Sequence, residues 1–196
     1  AWRQLGMLVE DADTEDQRQS NAAFLRLLGK NPDGTDNPQY ETLVDIENYI
    51  DYMILNLYAG NTDWHHKNYY AVRQRHPEST GFKYISWDAE RSLNDMKNYE
   101  GGSHVEVDLT SDGRGVASMY RILTQNEEFQ LMFADRLHRH FFNGGLLFVD
   151  PENPQWDPAH PERNVPAARY HDMASEIEIM LIAESARWGD AYLVES

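Results

Sequence analysis

The chain predicts an α+β fold, mostly helical with one small β-hairpin. Three observations carry that reading. Apolar residues recur at helical spacing in several windows, most clearly at Ile46, Tyr49, Ile50, Met53, Ile54 and Leu57. Two neighbouring segments, Tyr69–Arg73 and Phe82–Trp87, have the aromatic and β-branched content of strands. The charged stretch between them, Gln74–Gly81, holds Pro77 and Gly81 and has the composition of a hairpin connection. At 196 residues, 1–196 reads as a single domain with a sizeable core.

In chain order, the apolar patch Leu5, Met7, Leu8, Val9 suggests a short strand, followed by the acidic run Glu10–Asp13. Thr14 opens a helical pattern with Gln17 three positions on, the spacing of a capping box, and Gly29 ends it. Residues 31–38 are rich in turn formers. Asp33 and Asp36 there lack the alternation and closing Glu of a calcium loop, so the segment reads as a plain turn. Asp45 is placed to cap a buried helix reaching Ala59, stopped by Gly60-Asn61. After the hairpin, Arg91–Arg114 is long and polar, with Gly101-Gly102 and Ser111–Gly115, and is a candidate substrate-recognition segment. Short helices are expected at Val116–Thr124 and after Asn126, the latter with Phe129, Met132, Phe133, Leu137, Phe141 and Phe142 on its apolar face. Asp150–Pro166 holds five of the eight prolines and reads as irregular; a last helix, Ala167–Trp188, carries a stripe of Tyr170, Met173, Ile177, Met180 and Leu181 expected to be buried.

Composition narrows the function classes. Seventeen Lys and Arg against 33 Asp and Glu give a formal charge of −16. Such a surface repels phosphate backbones and anionic lipid, which argues against nucleic-acid and membrane-surface roles, and it would steer a basic protein partner. No apolar run is long enough for membrane insertion. There is no cysteine, hence no disulfide framework and no thiolate chemistry. Ala1-Trp-Arg-Gln is not the start of a signal peptide, and a chain beginning with Ala reads as a fragment or processed form.

The chemistry concentrates in Gly60–Glu90. A polar loop there holds Asn61, Asp63, His65, His66, Lys67 and Asn68, and the second strand delivers Asp88 at its end. The hairpin would bring Asp63, Asn68 and Asp88 to one side of a small sheet. Phosphoryl transfer from a nucleotide needs a carboxylate to orient the attacking hydroxyl and take its proton, and a divalent cation held by hard oxygen ligands. Kinases place that Asp five positions before a metal-binding Asn, with a second metal-binding Asp further on. Asp63 and Asn68 have this spacing, and Asp88 supplies the second acid. His65 and Lys67 are the candidates for contact with phosphate or substrate. Adjacent His65 and His66 would face opposite ways on a strand and make a poor metal pair. Trp64 and Trp87 read as packing residues around the loop.

Residues Asp45–Tyr52, Leu57–Trp64, Asn68-Tyr69-Tyr70 and Ser86–Glu90 resemble the CotH (spore-coat protein H) kinase family, and the Arg136 region and Ala186–Asp190 fit it too. The resemblance implies a protein-kinase-like C-lobe with its hairpin after the catalytic loop. It also implies a secreted or surface-associated enzyme that phosphorylates serines of partner proteins with ATP and Mg²⁺ or Mn²⁺. Asp63 then becomes the catalytic aspartate, and Asn68 and Asp88 become metal ligands. The chain departs from typical protein kinases at His65, where a Lys is common, and at Ala89-Glu90, where Phe-Gly follows the metal Asp. No Gly-rich phosphate loop is present, and none of Lys30, Lys67, Lys83 and Lys97 sits on an early strand, so the N-lobe is expected to be largely absent. Two other readings stand beside this one. One is a surface binding or adhesion module on the same fold. The other is a small-molecule phosphotransferase, since the His-Gly-Asp-x4-Asn loop of aminoglycoside-type enzymes is similar to Gly60–Asn68.

Overall fold

The chain runs α1 (Trp2–Ala12), α2 (Ala22–Leu27), α3 (Ile46–Tyr58), β1 (Tyr69–Val72), β2 (Lys83–Ser86), α4 (Gly115–Leu123), α5 (Glu127–Phe141) and α6 (Val165–Trp188), with a 3-10 turn at Pro161–Arg163. This computed structural model describes residues 1–12, 21–65, 67–76, 78–89, 91–93, 110 and 115–188. The Thr14/Gln17 capping box, His66, Pro77, Glu90, Lys97, Gly101-Gly102, Ser111–Arg114 and Gly189-Asp190 lie outside the described residues. The fold is α+β, about half helical, with a single two-stranded sheet among the described residues. The chain divides into two compact units, Ala1–Arg136 and Leu137–Ser196.

The first unit is built around α3. Asp45 caps it as expected, its carboxylate accepting from the Asn48 N–H at 3.2 Å. Tyr49, Ile50 and Met53 are fully buried, each side chain contributing about 1.5–3 kcal/mol of apolar transfer. Gly60, with φ of 56°, closes the helix in the left-handed region.

The N-terminal patch is a helix and not a strand. Leu5 and Val9, one turn apart, are buried, whereas Met7 between them is 59% exposed. That is a 3.6-residue period, and the i,i+4 pair decides the conformation.

β1 and β2 pair antiparallel from Tyr69↔Ser86 to Val72↔Lys83. Both strands are shorter than the sequence suggests, because Phe82 leaves the ladder to bridge Val44 in parallel. Its N–H donates to the Leu43 carbonyl and its carbonyl accepts from the Asp45 N–H. Gly81, at φ of 100°, makes this possible: a Cβ there would sit 2.5 Å from the Val44 nitrogen. The Asn48 side chain straps the hairpin onto α3, accepting from the Tyr84 N–H at 2.6 Å and donating to its carbonyl at 3.3 Å. Tyr84 is buried on the inner face; Tyr70, Val72, Ile85 and Trp87 are exposed. Trp87 is therefore not a packing residue of the loop. Its ring meets Tyr70 edge-on at the surface.

Asn126 caps α5 through the Phe129 N–H at 2.9 Å, and Phe129 is fully buried. Arg136 joins α5 to α3, with Nε donating to Asp51 at 2.7 Å, Nη2 pairing with the same carboxylate, and Nη1 donating to Glu47 at 3.0 Å. The paired Asp51 carboxylate raises the Arg136 guanidinium above its ordinary value.

In the second unit, α6 starts two residues earlier than expected, with Asn164 accepting from the Ala167 N–H. Its apolar stripe is exposed: Tyr170, Met173, Ile177, Met180 and Leu181 are all 45% accessible or more. Periodicity identifies which residues share a helix face, and nothing in it dictates that the face is covered.

Candidate active site

The site begins at the C-terminal end of α3 with a chain of buried amides. Asn56, on the otherwise apolar face of the helix, donates to the Tyr52 carbonyl at 2.8 Å and to the Ser86 hydroxyl at 3.3 Å. Its Oδ1 accepts from the Asn61 side chain at 3.0 Å, and its carbonyl accepts from the Asn61 N–H at 3.1 Å. Asn61 then turns its own Oδ1 to the Asp63 N–H at 3.1 Å. Both amides are nearly inaccessible. A buried network in which donors and acceptors are matched in this way fixes one backbone path, and the path leads to Asp63.

Asp63 is 7% exposed. Its Oδ2 accepts from the Asn68 side chain at 3.2 Å and pairs with the Lys67 ammonium at 3.1 Å. The next residue, Trp64, is fully buried and packs edge-on to Tyr52 with centroids 5.6 Å apart. Tyr52 in turn meets Tyr84, so the loop is pinned to an aromatic cluster shared by α3 and β2. Trp64 is thus the packing residue that the sequence suggests. His65 is 3% exposed, and its carbonyl accepts from the Val116 N–H at 3.0 Å, tying the loop to the start of α4. Lys67 keeps 58% of its side chain in solvent.

Asp88 is placed by its neighbours on either side. Before it, the Trp87 N–H donates to the Asn68 carbonyl at 3.4 Å; after it, the Arg91 carbonyl accepts from the Thr62 N–H at 3.4 Å. The short segment carrying Asp88 is therefore anchored to both ends of the Asp63 loop. Asp88 is exposed and adopts a φ of 55°, a conformation uncommon outside glycine that Asp tolerates better than most residues. Asp63 and Asn68 are in direct contact, and the backbone on either side of Asp88 is bonded to Asn68 and Thr62.

The side-chain oxygens here are of the chemical type that a hard divalent cation takes. Asn68 turns its NH₂ to Asp63, which leaves its side-chain carbonyl oxygen facing away from that bond, and Asp88 carries an exposed carboxyl group. Mg²⁺ commonly takes only one or two protein ligands and keeps waters or phosphate oxygens for the rest. Among the described residues no group of three or more His, Cys, Asp or Glu gathers as a metal site, which separates this arrangement from a closed protein cage.

The sequence reading missed Asn56 and the strap at Asn48. Asn56 had a signal: it lies three positions after Met53 and seven after Tyr49, a polar residue in an apolar stripe. These features define an α+β chain whose buried aspartate rides on a loop between a long helix and a β-hairpin. The chain belongs to the CotH kinase protein family, whose model matches residues 4–143. A search of curated proteins found no match, and neither did a search of solved structures. The family match includes Asp63, Asn68, Asp88 and Arg136 and ends before α6, so Ala186–Asp190 falls outside it.

Proposed function

We propose that this chain carries the catalytic loop of a kinase that moves the γ-phosphate of ATP onto a serine of a protein substrate. Asp63 orients the serine hydroxyl and receives its proton as the oxygen bonds to phosphorus, and ADP leaves with the electrons of the broken P–O bond. Asn68 and Asp88 would hold Mg²⁺ or Mn²⁺. Bound there, the cation would supply neutralisation of phosphate charge. Lys67, solvated and paired with Asp63, is suited to meet the transferring phosphate. His65 is buried and its carbonyl accepts from the Val116 N–H, which supports a positioning role for it in place of a substrate contact.

The observation that carries this reading is the double anchoring of the Asp88 segment to Thr62 and Asn68, the two ends of the loop bearing Asp63. It supports reading as one site three residues whose sequence spacing matches the kinase pattern. Family membership supports a protein as the acceptor, and the acidic surface favours a basic one. A secreted or cell-surface location belongs to the same proposal, and fractionation of the producing cells tests it.

Radiolabelled ATP offered with Mg²⁺ or Mn²⁺ to serine-rich basic proteins and to small alcohols tests the activity. Label should enter protein serine, and Asp63→Ala or Asp88→Ala should each abolish it. Transfer that survives both substitutions removes the proposal, and labelling of small alcohols alone moves the activity to a small-molecule phosphotransferase.

A further inference from the structure

At the far end of the hairpin lies a cavity of about 570 Å³ whose lining includes Tyr40, Thr42, Arg73, Arg75, His76 and Ser79. Five residues of extended chain separate Asn68 from Arg73, on the order of 16 Å, so this is not the Asp63 site. The chain carries 33 acidic against 17 basic residues. Two guanidiniums against the single Glu41 carboxylate in the lining are therefore a local reversal of its charge.

Arg73 is the informative residue. Only 17% of its side chain is exposed, and its Nη2 lies 3.3 Å from the Glu41 carboxylate, itself 59% exposed. Its Nε is buried with no hydrogen-bond partner among the described residues. A guanidinium carries five N–H donors; the Nε is inaccessible from the cavity, so a ligand there meets Arg73 through its Nη groups. Arg26 lies with its guanidinium 3.8 Å over the Tyr40 ring, adding a third positive group beside the wall. His76 accepts from the Glu78 N–H through Nδ1 at 3.3 Å, which puts the ring proton on Nε2 as a donor. The Glu78 carboxylate stands 4.0 Å from the same Nδ1. Ser79 Oγ accepts from the Gly81 N–H, so its own O–H is available to donate.

We infer that this pocket binds a phosphate monoester on a polypeptide side chain, phosphoserine or phosphothreonine. Guanidinium donors of Arg73 and Arg75 with the Ser79 hydroxyl and the His76 imidazole N–H match the oxygens of a phosphate dianion. Glu41 competes for Arg73 only from an exposed position, where an ion pair is weak. The open cleft has room for a phosphorylated side chain with its flanking backbone. The inference goes beyond the proposed function and holds even if the chain transfers no phosphate.

Fluorescence anisotropy with a short neutral peptide carrying one phosphoserine, compared with its unphosphorylated twin, tests it. The phosphopeptide should bind saturably and at least about tenfold more tightly than the twin. Arg75→Gln, at an exposed position, should weaken it about tenfold, a loss of roughly 1.4 kcal/mol, while Asp63→Ala leaves it unchanged. Displacement by an equal concentration of inorganic phosphate would retain the site and make free phosphate a sufficient ligand. Displacement only by a large excess would assign it to phosphopeptide. Equal binding of both peptides, or full binding by both Arg75→Gln and Arg73→Gln, overturns the inference.

Discussion

Asn61 decides where Asp63 points, and its effect can be separated from that of charge. Asn61→Asp keeps the size and the acceptor for the Asp63 N–H, but it replaces the NH₂ that donates to Asn56. Two oxygens then face one another in a site 1% exposed, beside a second carboxylate. A buried polar mismatch of this kind costs about 1–3 kcal/mol. Thermal melts should show a drop of several degrees, about 2–4 °C per kcal/mol at this chain length, and phosphate transfer should fall with it. An unchanged melt would mean that the amide chain does not organise the loop. The tyrosines behind the loop give a pH signature. Burial pushes the phenols of Tyr49, Tyr52 and Tyr84 above the ordinary value near 10, and neighbouring phenols add to the rise. The folded state thus keeps protons that the unfolded chain releases above about pH 10. Stability is complete below that pH and declines as pH rises toward the elevated folded-state values, by about 1.4 kcal/mol per pH unit for each such group. Tyr52 also has a buried hydroxyl with no partner among the described residues. Tyr52→Phe should therefore leave neutral-pH stability equal or up to about 1 kcal/mol higher and flatten the alkaline decline. Tyr49→Phe, losing a bond to the Val116 carbonyl at 2.9 Å, should lose about 1 kcal/mol at neutral pH. Urea unfolding from about pH 8 to about pH 11 measures both.

At the scale of elements, the hairpin depends on one position where the backbone tolerates no side chain. Gly81→Ala would drive a Cβ into the Leu43 carbonyl carbon and the Val44 nitrogen while forcing a positive φ on alanine. About 2 kcal/mol or more should be lost, seen as a fall in Tm of at least about 4 °C. A melt within about a degree of the parent would show that the Phe82–Val44 bridge is not needed. Elements were legible where local chemistry sets them. Asp45 and Asn126 cap the helices their positions suggest, and Tyr69–Val72 and Lys83–Ser86 pair as a hairpin because β-branched and aromatic residues flank a turn. The strand expected at Leu5–Val9 failed because a short apolar run carries both periods, and only the burial of Leu5 with Val9 chooses between them. The exposed stripe of α6 was illegible for a different reason, since coverage is a property of the partner surface. Within the candidate site, Asp63 and Asn68, singled out by their spacing, have side chains that meet. Their support was not legible: it comes from Asn56, from Asn48 and from the Arg91 carbonyl, and a backbone acceptor has no sequence signature.

For the molecule as a whole, charge is the dominant property, and it acts at a different step from the chemistry. A formal charge of −16 accelerates encounter with a cationic protein through a field that reaches beyond contact distance. Salt screens that field: the Debye length shortens from about 14 Å near 50 mM to about 6 Å near 300 mM. Asp63, 7% exposed and in contact with Lys67 and Asn68, is screened far less, because its partners lie within hydrogen-bonding distance. Raising salt across that range should therefore increase KM for a basic serine substrate several-fold while kcat changes by less than about twofold, and KM for a neutral serine peptide should stay nearly constant. Equal salt sensitivity for both substrates would place the effect on ATP or the metal instead of on steering. A fall in kcat that tracks the rise in KM would mean that the Asp63 cluster is itself opened by salt, contradicting the tight anchoring of its loop to Asn61, Trp64 and the Arg91 carbonyl.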